Sequence, residues 1–116
     1  MIKKIFRLKE TEVKKVLKSR KPFFSYGFVA NSRQNNLGFN RFAIILSSKN
    51  TKTSINRNFF RRKFYALAED SISKGDIDIV FVPKKGKIFD KNSNESIVEF
   101  ENDIKFILKK IFNGKQ

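Results

Sequence analysis

The stretch Ser-Ile-Asn-Arg-Asn-Phe-Phe-Arg-Arg-Lys-Phe-Tyr, residues 54–65, decides how the rest of the chain must fold. It lies in a predicted helix over residues 56–73, on which successive side chains are rotated by about 100°. Phenylalanine and leucine occupy one half of the helix surface, whereas the other half carries Asn58, Tyr65 and three arginines. The aromatic half predicts burial against a sheet, and the basic half predicts exposure.

The three arginines Arg57, Arg61 and Arg62 lie within about 140° of one another on this helix. Cations in the first turns oppose the helix dipole by about 0.3–1 kcal/mol each. The first acid that could pair with them, Glu69, follows a turn or more later. A phosphate would remove this conflict, because a planar guanidinium binds it with two hydrogen bonds. The pattern predicts a phosphate-binding face; a solvated charged face is the alternative.

Positive charge is concentrated in the first half of the chain. The 116 residues carry a net charge of +15, and residues 1–65 hold 17 Lys and Arg but only two acids. A one-sided basic field is typical of proteins that bind nucleic acid or an anionic membrane surface. No apolar run is long enough for a membrane span or a signal peptide, and no helix-turn-helix pattern is present. We therefore expect one cytoplasmic domain over residues 1–116 that binds nucleic acid or an anionic membrane surface.

The composition also limits the chemistry of the side chains. The chain has no Cys and no His, which excludes thiol catalysis, a Ser-His-Asp arrangement and Cys or His metal sites. Asp76 and Asp78 are the only close Asp pair in a predicted strand, and we interpret them as solvated rather than metal-binding. We predict no catalytic residue, no metal ligand and no cofactor bound by the side chains.

Hydrophobic periodicity predicts an α+β domain. Thr11 is the predicted N-cap of the first helix, and Gly75 ends the middle helix. Ser96 with Glu99 forms a predicted capping box for the last helix, and Asn113-Gly114 is its predicted stop. A polar turn is predicted over residues 31–38. The other predicted elements are helices over 11–19, 56–73 and 96–113 and strands over 23–30, 41–47 and 77–82.

Residues 54–65 resemble the signature of the bacterial ribonuclease P protein component. That signature is a small residue, two spacers, Arg-Asn-Arg, an apolar residue, Lys/Arg-Arg, a spacer, an apolar residue and a basic residue. Phe59 stands where the family has the second Arg of Arg-Asn-Arg, and Tyr65 replaces the final basic residue. The flanking residues 8–18, 41–49 and 76–83 are similar to the family's opening helix and two of its strands. The matching signature positions are Arg57, Asn58, Phe60, Arg61, Arg62 and Phe64.

The resemblance covers about residues 6–112 and implies both a fold and a function. The implied order is αβββαβα around one four-stranded sheet, with a left-handed βαβ crossover that departs from the usual rule. It requires a third strand between residues 23 and 47, which we would place by splitting the regions 23–31 and 41–47. The family protein joins a catalytic RNA that removes the 5′ leader of precursor tRNA with its own magnesium ions. The resemblance thus implies an RNA-binding domain, with neither a membrane nor DNA as partner. The alternative function is that of a small basic ribosomal or other structural RNA-binding protein.

The resemblance also implies which residues bind RNA. Contacts to the catalytic RNA fall on Arg57, Asn58, Arg61 and Arg62, with assistance from Arg41 and Lys52. A cleft between the first helix and the sheet is expected to hold the single-stranded leader, and simple core packing is the alternative for its two aliphatic residues. The matching cleft positions are Val13, Leu17, Phe28, Ser47 and Lys49.

Overall fold

The computed structural model describes residues 3–19 and 21–113. Three α-helices and four strands alternate in the predicted order αβββαβα, so the predicted fold class is confirmed. Two 3-10 turns, Lys4–Phe6 and Glu69–Lys74, precede α1 and follow α2. The elements are α1 Glu10–Lys18, β1 Pro22–Phe24, β2 Phe28–Gln34, β3 Arg41–Ile44, α2 Ser54–Ala68, β4 Ile77–Pro83 and α3 Asn94–Asn113.

The four strands form one mixed sheet in the order β1-β2-β4-β3. The pairs β1/β2 and β2/β4 are antiparallel, whereas β3 and β4 are parallel neighbours. Because α2 lies between β3 and β4 in sequence, these three elements form the βαβ unit that the resemblance implies. The hand of that crossover stays a prediction.

The two faces of the sheet are covered differently. On one face α2 and α3 pack on a core whose fully buried side chains include Phe28, Phe42, Phe81 and Ile79. On the other face α1 packs through Val16 on a small cluster with Ala43 and Val80. Burial of each large apolar side chain stabilises the fold by about 1.5–3 kcal/mol, so the aromatic face contributes most of the stability.

The predicted single strand over residues 23–30 is wrong, because it divides into β1 and β2. The Phe28 N–H donates to the Ser25 Oγ at 3.2 Å, and the Ser25 N–H donates to the Phe28 carbonyl at 3.0 Å, which closes a hairpin. The missing third strand is therefore β1. The predicted polar turn over 31–38 also begins too early, since Asn31 to Gln34 pair with β4. Pairing with a central strand outweighs the weak strand propensity of these polar residues.

Three predicted helix starts differ from the structure. α1 begins at Glu10 rather than Thr11, with the Glu12 carboxylate accepting the Lys9 N–H at 2.9 Å. α2 begins at Ser54, two residues earlier than predicted, and its α-helical part ends at Ala68. The predicted Ser96–Glu99 capping box is wrong, because Ser93 Oγ accepts the Ser96 N–H at 3.2 Å. The Gly114 stop predicted for α3 lies outside the described residues.

Candidate nucleic-acid interface

The outer face of α2 presents cations without counter-charges. Asn58 and Arg62 are exposed, and Arg57 and Arg61 are half-buried. The first turn contains no acid, and in the described part of the chain none of the three arginines forms an ion pair. The arginine half of α2 is thus exposed, as the sequence indicates. Its binding role stays a prediction.

Neutral hydrogen bonds hold two of these side chains in place. Arg57 Nη1 donates to the Thr51 carbonyl at 3.1 Å, and Arg61 Nη1 donates to Asn58 Oδ1 at 2.9 Å. Each bond uses one of the five N–H donors of a guanidinium. The arginines are therefore positioned without being neutralised, and most of their donors remain available to an anion.

The amino-terminal end of α2 is fixed to the loop before α3. Thr53 Oγ1 caps the helix by accepting the Asn56 N–H at 3.1 Å. The buried Asn56 amide donates to the Phe89 carbonyl at 2.6 Å and accepts the Lys91 N–H at 2.8 Å. Exposed Lys52 lies beside this cap and lines a cavity of about 240 Å³. The structure thus brings Lys52 to the same helix end as Arg57.

Tyr65 differs from its predicted place on the basic half of α2. It is only 6% exposed and belongs to the aromatic core, with its ring centroid 5.0 Å from that of Phe64. Burial raises the pKa of Tyr65, while the charges of Arg7 and Arg61 act to lower it. Arg7, which the sequence did not single out, lies near Tyr65 because the amino-terminal segment pairs with β3 at Phe42.

Arg41 lies on the opposite face of the sheet from the α2 arginines, and its predicted part in RNA binding stays a prediction. Its guanidinium binds both carboxylate oxygens of Asp78 at 2.8 Å, and its Nη1 lies 2.6 Å from the Glu12 carboxylate. The bonds to Asp78 and Glu12 raise the pKa of Arg41. The Lys9 N–H and Arg41 hold the pKa of Glu12 below its ordinary value. Arg41 therefore fastens α1 to β3 and β4.

An open apolar surface lies beside α1, toward the carboxyl ends of β3 and β4. Along each strand, the side chains of this surface alternate with side chains of the aromatic core. Phe24 pairs with Val29, and Val29 pairs with Val82, so these three side chains share one face of the sheet. Phe24 is 50% exposed, and Lys84 Nζ lies 5.8 Å from its ring centroid. We call this surface the apolar cleft, formed by Val13, Leu17, Phe24, Val29, Ile45 and Val82.

Phe28 does not line this cleft, and its predicted role there is wrong. It is fully buried on the other face of the sheet. Its ring stacks on Phe89 at 5.5 Å and meets Phe100 edge-on at 5.6 Å. The aromatic side chain that faces the cleft is Phe24, which sequence analysis missed. The adjacent pair Phe23-Phe24 was the available signal, because neighbours in a strand face opposite sides.

The remaining predicted cleft residues lie at its rim. Val13 packs against the α1-side cluster, and Leu17 is 36% exposed. Ser47 and Lys49 are both exposed, on the turn that follows β3. The Ser47 carbonyl accepts the Thr51 N–H at 2.9 Å, and Ser47 Oγ accepts the Lys49 N–H at 3.2 Å. This places both residues at the end of the sheet where the cleft opens, and their contact with a leader stays a prediction.

The two acids at the start of β4, Asp76 and Asp78, have different surroundings. Asp76 precedes β4, and the Asp78 carboxylate is engaged by Arg41 and by the Asn35 amide at 2.8 Å. Within residues 3–19 and 21–113, no group of three or more Asp or Glu side chains is placed to hold a metal ion. None of the helices in the same part of the chain is long and apolar enough to cross a membrane.

Comparison with solved structures shows the same fold in three structures of RNase P proteins from two organisms. The Staphylococcus aureus RNase P protein is 20% identical, with 93% of this chain and 98% of that chain covered and a TM-score of 0.75. A mutant of the S. aureus protein described as defective in mRNA degradation activity is 19% identical, with coverages of 93% and 89% and a TM-score of 0.69. The Thermotoga maritima RNase P protein is 22% identical, with 92% of each chain covered and a TM-score of 0.61.

Identities this low establish a shared fold alone, and no curated protein sequence matches the chain. The family model described as Ribonuclease P matches residues 2–112, nearly the whole chain. That span includes the arginine face of α2, the apolar cleft and all four strands. The chain therefore belongs to the ribonuclease P protein family, as a subunit of that tRNA-processing enzyme and a partner of its RNA.

Proposed function

We propose that the protein binds the catalytic RNA of ribonuclease P through the outer face of α2 and holds the 5′ leader of precursor tRNA in the apolar cleft. The RNA and its magnesium ions carry out the cleavage. The observation that carries this proposal is that the two faces of the sheet present different side chains. Unpaired arginines lie on the α2 side, and an exposed aromatic ring beside a lysine lies on the α1 side.

The α2 face suits the phosphates of a folded RNA. Arg57, Arg61 and Arg62 keep most of their donors free, and they have no acid to compete with an external anion in the described residues. Lys63 is different, since its Nζ lies 2.8 Å from the Glu101 carboxylate. A rigid helix carrying forked donors fixes the geometry of several phosphates at once. Binding through phosphates positions the protein without reading a sequence.

The apolar cleft suits a single strand rather than a duplex. Single-stranded nucleic acids bind in grooves that combine cations with aromatic side chains on which bases stack. Phe24 offers the ring, and Lys84 supplies a nearby cation at 5.8 Å. The rest of the cleft is aliphatic, so one stacked base against Phe24 is the strongest contact we expect there.

The side chains supply little for strand cleavage. The chain contains no His or Cys, and the Asp78 carboxylate is already bound by Arg41. This supports assigning the chemistry to the RNA. The mRNA degradation activity described for the S. aureus protein makes cleavage by the protein alone the necessary comparison.

The test is reconstitution with a bacterial ribonuclease P RNA. We expect the protein with that RNA to cleave a precursor tRNA at the leader junction at a magnesium concentration where the RNA alone is slow. The protein alone, freed of RNA by nuclease treatment and repurified, should leave the precursor intact. Cleavage at the leader junction by the RNA-free protein, lost in Asp76→Asn, would overturn the assignment of chemistry to the RNA. Failure to stimulate the RNA would overturn the subunit role.

A further inference from the structure

A second groove runs along the other side of α1. Around this helix Glu12, Lys15 and Ser19 face one side, whereas Val13 and Leu17 face the apolar cleft. Two adjoining hollows of about 280 and 320 Å³ lie there and share Lys15 and Arg33. We call them together the basic groove. Besides Arg41, which is paired with two acids, its cationic and amide lining residues are Lys15, Lys18, Arg33, Gln34, Asn35 and Asn36.

The basic groove has an excess of unneutralised positive charge. Lys15, Lys18 and Arg33 are exposed, and none of them forms an ion pair with any described residue. Two acids also line the groove, but both are bound by Arg41: Glu12 at 2.6 Å and Asp78 at 2.8 Å. Although Asp78 stands opposite Arg33 in the strand register, its oxygens are taken by Arg41 and the Asn35 amide.

The position of the groove connects it with the apolar cleft. Val29 and Arg33 lie on the same face of β2, four residues apart, which spans about 13 Å. Val29 belongs to the cleft and Arg33 to the groove. The carboxyl end of α1 lies against β2 beside Arg33, since Ser19 Oγ donates to the Ser32 carbonyl and Lys15 and Lys18 line the same hollow as Arg33. A single strand that leaves the cleft past this end of α1 would therefore meet the three cations next.

We propose that the basic groove binds the phosphates of leader nucleotides that lie farther from the cleavage site than those held in the apolar cleft. This inference rests on the proposed leader site. A backbone contact fits the groove because its described lining offers cations and amides but no aromatic ring. The protein would then hold a long leader at two places on one face, and a short leader at only one.

The test compares substrates that differ only in leader length. The variant Lys15→Gln/Lys18→Gln/Arg33→Gln is reconstituted with the ribonuclease P RNA. Its affinity is then measured for mature tRNA, for a precursor whose leader just crosses the cleft, and for one whose leader is several nucleotides longer. We expect a loss of about tenfold for the long leader only. The slope of log affinity against log salt should fall by up to about 2, since each lost single-strand phosphate contact contributes about 0.7.

A matched control removes the same charge elsewhere. Lys74, Lys105 and Lys109 are also exposed and line a hollow of about 320 Å³ between α2 and α3. The variant Lys74→Gln/Lys105→Gln/Lys109→Gln should leave the dependence on leader length unchanged. Thermal melts of both variants check the fold. The single variant Arg33→Gln, expected to lower the slope by about 0.7, provides a milder test.

Three results are informative. A loss confined to the long leader supports the proposal. Equal losses for long leader, short leader and mature tRNA overturn it, because the groove would then contact the tRNA body or the RNA subunit. No loss for any substrate also overturns it, since the groove would be a solvated surface. In the last two cases the leader site in the cleft still stands if Phe24→Ala reduces the preference for short-leader precursor over mature tRNA.

Discussion

The two faces of the sheet differ in how much of each is covered by helices. The face under α2 and α3 is covered by helices of 15 and 20 residues, and its core contains Phe28, Phe60 and Phe100, all fully buried. Among the described residues, the one helix on the opposite face is the nine-residue α1, about 14 Å long. One short helix cannot cover four strands that are spaced by about 4.8 Å. The covered face therefore supports the arginines of α2 on a packed core, and the part of the opposite face that α1 leaves open forms the apolar cleft.

The contrast between Phe28 and Phe24 is the sharpest test of this difference, and Phe28→Ala has the largest expected effect. Removing a fully buried ring that contacts Phe81, Phe89 and Phe100 should lower the free energy of unfolding by about 3–5 kcal/mol. Urea denaturation measures this loss. A variant as stable as the wild type would mean that Phe28 is not a core residue.

The next largest effect is expected for Arg61→Gln/Arg62→Gln, which alters the covered face only at its surface. Loss of two charged contacts of about 1.5 kcal/mol each should weaken binding to the ribonuclease P RNA by about 100-fold. The salt slope should fall by about 0.7–0.9 per contact. The melting temperature should change little, because Arg62 is exposed, Arg61 is half-buried and neither forms an ion pair with a described residue. A lower melting temperature with an unchanged salt slope would make these arginines structural.

A smaller effect is expected for Phe24→Ala on the open face. The half-exposed ring should contribute about 1–2 kcal/mol to the binding of a stacked leader base. Precursor tRNA affinity should fall by that amount, whereas mature tRNA affinity and protein stability should change little. Equal losses for the two substrates would show that Phe24 does not touch the leader. Tyr26→Ala is a suitable control, since Tyr26 is 78% exposed on the β1–β2 turn.

The smallest effect is expected for Glu12→Gln, which loosens α1 from the open face. The pKa of Glu12 is lower in the folded protein than its ordinary value of 4.5. Its stabilisation is therefore present above about pH 4.5 and is lost as the pH falls through the folded-state pKa. At pH 7 the variant should be less stable by about 1 kcal/mol, and the difference should disappear in acid.

Denaturation curves of the wild type and Glu12→Gln across a pH series measure this convergence. A difference that stays constant down to acid pH would show that packing, not the carboxylate charge, accounts for the loss. Precursor and mature tRNA affinities of the same variant show whether the anchoring of α1 also sets the shape of the cleft.

The sequence by itself determined the elements whose pattern is local. The alternation of arginine and phenylalanine in residues 54–65 predicted both the buried and the exposed half of α2, apart from Tyr65. The apolar stripe of α3 was predicted in the same way, and Phe100, Ile104 and Ile107 are fully buried. Such patterns are readable because one helix face repeats every three to four residues regardless of distant contacts.

Only the tertiary structure decided which side chains face the open cleft. A continuous strand over residues 23–30 would place Phe24 and Phe28 on one face, whereas the hairpin at Ser25 places them on opposite faces. When a strand boundary moves by one residue, every side chain beyond it faces the opposite side of the sheet. The turn signal in this stretch was too weak to reveal the boundary. Arg41 shows the same limit, since its partners Glu12 and Asp78 are 29 and 37 residues away in sequence. Contacts made over such separations depend on how the helices pack on the sheet, which no local pattern encodes.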